Sequence, residues 1–175
     1  MKLICLPQLR QTYDFDCGSK ALQSILAYYG IEIREDKIMN TAKTNKDGTS
    51  PQGIKRAISK YGLQSKSGKM TIENLKRYID LKIPVLILLQ AWPGKDKTNW
   101  EKDWLDGHWV VAIGYTKEKI IFEDPWSIYK TYLKYDELLK RWHDKGLDGK
   151  KYLNFGIAVF GRRPVFKRDK LIHMD

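Results

Sequence analysis

From Cys17 to Tyr29 the chain is apolar around most of a helical circumference. At about 100° per residue, Cys17, Ala21, Ile25 and Tyr28 share one side, and Leu22, Leu26 and Tyr29 widen it. Ser19, Lys20, Gln23 and Ser24 fill the remaining sector. A helix with so little polar surface has to be mainly buried, so the rest of the chain must cover it. Gly30 is suited to the position just past its end. Its first residue is a cysteine, where free backbone N–H groups and the helix dipole favour an anion. The same N–H groups can hold an oxyanion on a substrate carbonyl. Asp16 acts against a thiolate, unless its carboxylate caps the helix instead. The alternative reading of Cys17 is a buried small hydrophobe.

The segments after this helix alternate apolar stripes with caps. Arg34 to Ala42 reads as a short helix, and Asp47-Gly48 marks a turn. Ser50-Pro51 gives a cap followed by proline at the first helical position, with Ile54, Ala57, Ile58 and Tyr61 facing inward. Thr71 caps another helix whose inner residues are Ile72, Leu75, Tyr78 and Ile79. The second half changes character. Ile83 to Leu89 is apolar on both faces, as a central strand must be. Trp109 to Tyr115, Lys119 to Glu123, Ser127 to Leu133 and Tyr152 to Phe160 read as further strands, with a helix near Tyr135–Trp142 between the last two.

A cysteine nucleophile needs a base, and the base needs an orienting group. The chain has three histidines. His143 follows a helical stretch and is expected at the surface, and His173 lies in the C-terminal tail. His108 directly precedes the strand Trp109–Tyr115. A hairpin centred near Thr116 brings His108 opposite Asp124, on one face because side chains alternate with period 2. Pro125 ends the second strand at that point. The bland reading of His108 is a satisfied polar residue at a strand end.

Gln11, Asp16-Cys17-Gly18, the helix ending Tyr28-Tyr29-Gly30, Gly107-His108-Trp109-Val110-Val111 and Asp124-Pro125 together resemble the double-glycine leader peptidases. These are papain-like cysteine peptidases best known as N-terminal domains of bacteriocin-exporting ABC transporters. The resemblance covers about residues 6–160. It implies Cys17 as nucleophile, His108 as general base and acid, and Asp124 as the group that orients His108. It also implies an oxyanion hole formed by the Gln11 side-chain amide and the Cys17 N–H. The implied fold is α+β and two-lobed, a helical lobe (about 11–82) packed on an antiparallel sheet (about 83–160), as one domain with a basic tail (161–175). The implied substrate is a peptide or protein cut after two small residues such as Gly-Gly, with a separate transporter as a candidate partner. Trp92, Trp104 and Trp109, in or beside the insertion 91–107, are candidate substrate contacts on the cleft edge, and that insertion a mobile lip. Trp126 is a further candidate, placed to shield the His108–Asp124 bond.

No stretch approaches the about 20 apolar residues of a membrane span, and the N-terminus lacks the pattern of a signal peptide. The expectation is a cytoplasmic protein without a fused transporter. No cofactor or metal is expected, since no histidine lies at zinc-ligand spacing from Asp14, Asp16 and Cys17. The net charge is +11, and residues 34–82 carry +7 of it (twelve basic and five acidic side chains). With no nucleic-acid-binding motif, this charge reads as a solvated lysine-rich surface, the alternative being an acidic partner. The same three residues also suit acyl transfer to an amine, in the manner of transglutaminase-like enzymes. A non-catalytic peptide-binding module is the alternative from another class.

Overall fold

The computed structural model describes residues 1–93 and 99–174. In chain order it contains β1 (Lys2–Leu3), α1 (Cys17–Tyr28), α2 (Glu35–Ala42), α3 (Pro51–Lys60), β2 (Gln64–Lys69), α4 (Ile72–Asp80) and β3 (Val85–Gln90). There follow β4 (Gly107–Tyr115), β5 (Lys119–Glu123), β6 (Thr131–Lys134), α5 (Tyr135–Arg141), β7 (His143–Lys145), β8 (Lys151–Leu153) and β9 (Phe155–Phe160). Among the described residues, seven strands form one antiparallel sheet in the order β2-β9-β3-β4-β5-β6, with β1 paired to the far half of β4. The other pair, β7 and β8, is a separate hairpin.

The sheet is covered on both faces, which is why β3 is buried throughout and apolar from Val85 to Leu89. Leu86, Leu88, Trp109, Val111, Ile157 and Val159 pack on α1, α2 and α3. Val85, Ile87, Leu89, Val110 and Phe122 pack with Leu75 of α4 and with Leu138 and Trp142 at α5. Helix α1 is buried as its pattern requires, with Leu22, Ile25 and Leu26 fully enclosed. The Ser50 hydroxyl caps α3, accepting from Gly53 N–H at 3.0 Å, and Thr71 caps α4 in a reciprocal box with Asn74.

Three placements differ from the sequence reading. Gln64–Lys69, within the expected helical region, is an edge strand on β9. Its residues QSKSGK lack the apolar alternation that marks a strand, and pairing with β9 holds it instead. His143, expected at the surface, is buried, because the chain leaves α5 directly into β7 and folds inward. The start of the basic tail docks on α1, with the Val165 and Phe166 N–H groups bonded to Tyr28 O. No described helix is long and apolar enough to cross a membrane.

The β4–β5 hairpin positions the site through a register that its sequence does not display. Its two-residue turn is Lys117-Glu118, closed by Thr116 N–H to Lys119 O at 2.9 Å, and not at Thr116 itself. A regular ladder from that turn would set Asp124 level with Val111, on the face away from His108. A bulge between Ala112 and Gly114 removes one residue from the count, so Val111 pairs with Glu123. Asp124 thereby returns to the face of Val110 and His108. The expected direct His108–Asp124 pair is corrected to a diagonal one, two residues apart along the strand. The N-terminal segment supports the bulge. Ile4 N–H bonds to Ile113 O at 2.7 Å, and Leu3 pairs with Gly114.

Candidate functional site

Cys17 is the first residue of α1, buried and free of any disulfide. His108 and Asp124 are both buried, and His108 Nε2 donates to Asp124 Oδ1 at 2.8 Å. That bond leaves His108 Nδ1 for the Cys17 sulfur, which the imidazole contacts. Three residues distant in sequence thus meet where α1 begins and β4 begins. Burial opposes protonation of His108, but hydrogen bonds to Asp124 and to Cys17 outweigh it and hold the imidazole up at about 9. Burial also opposes ionisation of Asp124, but the bond from His108 and its charge bring the carboxyl below its usual value. The two directions agree, and the pair is an imidazolium–carboxylate pair around neutral pH.

Asp124 receives four donors. Besides His108, Trp126 N–H bonds to Oδ1 at 2.9 Å. Trp92 Nε1 and Thr131 Oγ1 each donate to Oδ2 at 3.1 Å. Both carboxylate oxygens are therefore fixed, and with them the imidazole plane. Trp92 has φ of 55°, a left-handed conformation that is unusual for a bulky residue. It aims the indole N–H at Asp124, a role that the spacing of tryptophans gave no means to assign.

The other tryptophans differ in the same way. Trp109 is 2% exposed, and its Nε1 donates to Thr49 O at 3.0 Å. Its ring packs against Gly18, seating the start of α1, and also lines the cavity beside Cys17. Trp104 packs against His143 with ring centres 4.6 Å apart and the planes tilted by 51°, and Lys151 lies over its ring, on the β7–β8 hairpin. Trp126 projects outward and reaches Asp124 with its backbone N–H, so the expected shielding by its ring is corrected to the Trp92 indole. Of the insertion 91–107 expected to be a mobile lip, residues 94–98 lie outside the described ones.

Gln11 lies in the loop before α1, its N–H bonded to Pro125 O at 2.9 Å. Its side-chain Nε2 donates to Tyr13 O at 2.7 Å. Asp16 does not cap α1. Its Oδ2 accepts instead from the N–H groups of Thr12 and Tyr13, at 2.9 and 3.0 Å. Burial and contact with Glu35 push its carboxyl up. Its Oδ2 is thus turned to the loop rather than to the free N–H groups of α1.

Beside Cys17 is a narrow cavity of about 60 Å³, walled by Thr49, Leu88, Gly107 and Trp109 and by Asp144 to Leu147 of the β7–β8 hairpin. Gln90, fully buried, clamps that hairpin, donating to His143 O at 3.1 Å and Asp144 Oδ1 at 2.8 Å. Its Oε1 accepts from Asp106 N–H at 2.9 Å, ahead of His108. A polar residue ending an apolar strand was the one sequence signal for it. A larger apolar cavity of about 300 Å³ lies behind Asp124, lined by Trp92, Phe122 and Leu133, on the side away from the Cys17 cavity.

Comparison with known proteins bears on the family and the fold. The model of the Peptidase C39 family matches residues 6–148. The pediocin PA-1 transport/processing ATP-binding protein PedD of Pediococcus acidilactici is 28% identical over 121 residues, covering 69% of this chain and 15% of its own length. The chain thus spans about one seventh of that relative. A C39-like peptidase from Bacillus anthracis superposes with a TM-score of 0.69 at 19% identity, over 94% of this chain and 100% of that one. A double glycine motif protease from an AMS/PCAT transporter, crystallised with its leader peptide, gives 0.64 at 18% identity, over 94% and 95%. The mixed helices and antiparallel sheet are the fold of these papain-like peptidase domains.

Proposed function

The chain belongs to the Peptidase C39 family, and from that premise we propose that it hydrolyses a peptide bond through Cys17, His108 and Asp124. The observation that carries the reading is the buried contact of Cys17 with a His108 whose other nitrogen is held by a four-donor carboxylate. With the thiol proton on His108, the Cys17 sulfur adds to the scissile carbonyl. The oxyanion accepts from the Cys17 N–H at the helix start and from the Gln11 amide. His108 gives its proton to the leaving amine, and a thioester remains. His108 then takes a proton from water, which attacks the thioester and releases the acid. The proton returns to the sulfur–imidazole pair.

The substrate proposed is a peptide with two small residues before the cut, of the Gly-Gly type. The narrow cavity beside Cys17 supports it, being walled closely by the Trp109 indole and the β7–β8 hairpin. A transporter partner is proposed from the pediocin transport/processing relative.

The test is labelling by iodoacetamide near pH 6, read by mass spectrometry at Cys17 and at Cys5, which is exposed and serves as an internal control. Fast labelling of Cys17 that His108→Ala abolishes is the expected result. Equal, slow labelling of both cysteines would overturn the reading.

A further inference from the structure

Residues 11–16 have no regular secondary structure, yet they carry the Gln11 amide. We propose that Asp16 is a positioning residue for that amide, acting on the oxyanion through Tyr13 and Gln11; this rests on the peptidase reading above. Asp16 is fully buried, and its Oδ2 takes both the Thr12 and Tyr13 N–H groups. Tyr13 O in turn takes one hydrogen of Gln11 Nε2. This bond decides which way the amide faces and leaves its second hydrogen for a substrate oxygen.

Two further ties hold the same loop. Gln11 N–H bonds to the carbonyl of Pro125, the residue after Asp124, so the oxyanion donor and the His108 partner share one anchor. Thr12 Oγ1 donates to Glu35 Oε2 at 2.7 Å, and Lys20 Nζ pairs with the same oxygen at 2.8 Å. Asp16 Oδ1 and Glu35 Oε1 are both buried with no donor, and the two carboxyls touch. Asp16 therefore does not serve the helix it precedes. It closes the loop by giving the part-buried Thr12 and Tyr13 N–H groups a common acceptor, which fixes Tyr13.

The experiment is a double-mutant cycle of Gln11→Ala and Asp16→Ala, with Asp16→Asn beside it. The acylation probe is acetyl-Gly-Gly 4-nitrophenyl ester. The control is alkylation of Cys17 by iodoacetamide, a displacement at carbon that forms no oxyanion. Gln11→Ala is expected to slow acylation on the order of 100-fold. Asp16→Ala is expected to slow it about 10-fold or more, by displacing the amide rather than removing it. The double variant is expected to be no slower than Gln11→Ala alone. Asp16→Asn keeps an acceptor for both N–H groups and is expected within about threefold of wild type. All four variants should alkylate at the wild-type rate.

Losses that multiply in the double variant would overturn the proposal. So would Asp16→Asn as slow as Asp16→Ala, or alkylation that falls in step with acylation. If Asp16→Ala does not fold, Thr12→Val enters the cycle in its place. It is nearly isosteric and removes the bond to Glu35 alone, so its smaller loss should likewise vanish in the Gln11→Ala background, and a loss that persists there overturns the proposal. Wild-type protein that is never acylated overturns the peptidase reading itself, and this proposal with it, an outcome distinct from a multiplicative cycle.

Discussion

Glu123 should make the protein less stable as pH rises through neutrality, and Glu123→Gln should abolish that loss. The residue pairs with Val111 on the α1 side of the sheet and is 1% exposed. Neither carboxylate oxygen has a hydrogen-bond partner. Burial pushes the carboxyl up to about 7; Lys130 opposes this and the adjacent Asp124 charge adds to it. The folded value is raised above the ordinary 4.5, so the folded state favours the proton. The stability tied to the neutral form is fully present below about pH 4.5 and is lost as pH rises through about 7. At about 1.36 kcal/mol per pH unit, the cost at pH 8 is about 3 kcal/mol, and at pH 5 it is under about 1 kcal/mol. Glutamine has nearly the same shape and no charge to lose. Urea unfolding of both proteins at pH 5 and pH 8 measures the difference. With a slope of about 2 kcal/mol per molar, the variant's midpoint should exceed wild type by about 1.5 M at pH 8 and by much less at pH 5. His108, raised to about 9, also loses stability above neutrality, but it does so in both proteins and cancels in the comparison. Equal midpoints at pH 8, or an offset that does not change with pH, would refute the argument.

The site yields further expectations. Trp92→Phe keeps the ring and removes one donor from Asp124, so acylation by the nitrophenyl ester should fall about tenfold; an unchanged rate would mean that the indole only packs. Gly114→Ala places a Cβ 2.6 Å from Lys2 O, against the segment that supports the β4 bulge. It should cost about 1–3 kcal/mol in urea unfolding and slow turnover as Asp124 shifts from His108; normal turnover would separate the bulge from the chemistry. Because the imidazolium persists to about pH 9, the alkaline limb of the acylation profile should lie there, and a limb near 6.5 would contradict the His108–Asp124–Cys17 coupling.

Much of the fold was legible because it rests on local patterns. The apolar circumference of Cys17–Tyr29, the Ser50-Pro51 and Thr71 caps and the two-faced apolar run of β3 each follow from side-chain periodicity, and the helices and strand lie there. The polar edge strand β2 was not legible, since its strand state comes from pairing with β9 rather than from its own residues. The short β7–β8 hairpin, which roofs the Cys17 cavity, also escaped, because three-residue strands carry too little pattern.

Residue identity and local pattern were enough to mark the candidates for chemistry: a cysteine at a helix start, a histidine at a strand start and an aspartate before a strand-ending proline. Periodicity and capping are short-range physics, and they act within a turn or a strand. Tertiary structure decided how those residues meet. A one-residue bulge, supported by the N-terminal segment, turns Asp124 toward His108. Trp92 and Thr131 converge on Asp124, Asp16 serves a loop rather than its helix, and Trp109 becomes a wall. Each of these depends on a hydrogen bond or contact between segments far apart in the chain, whose formation only the packed arrangement of all of them can fix.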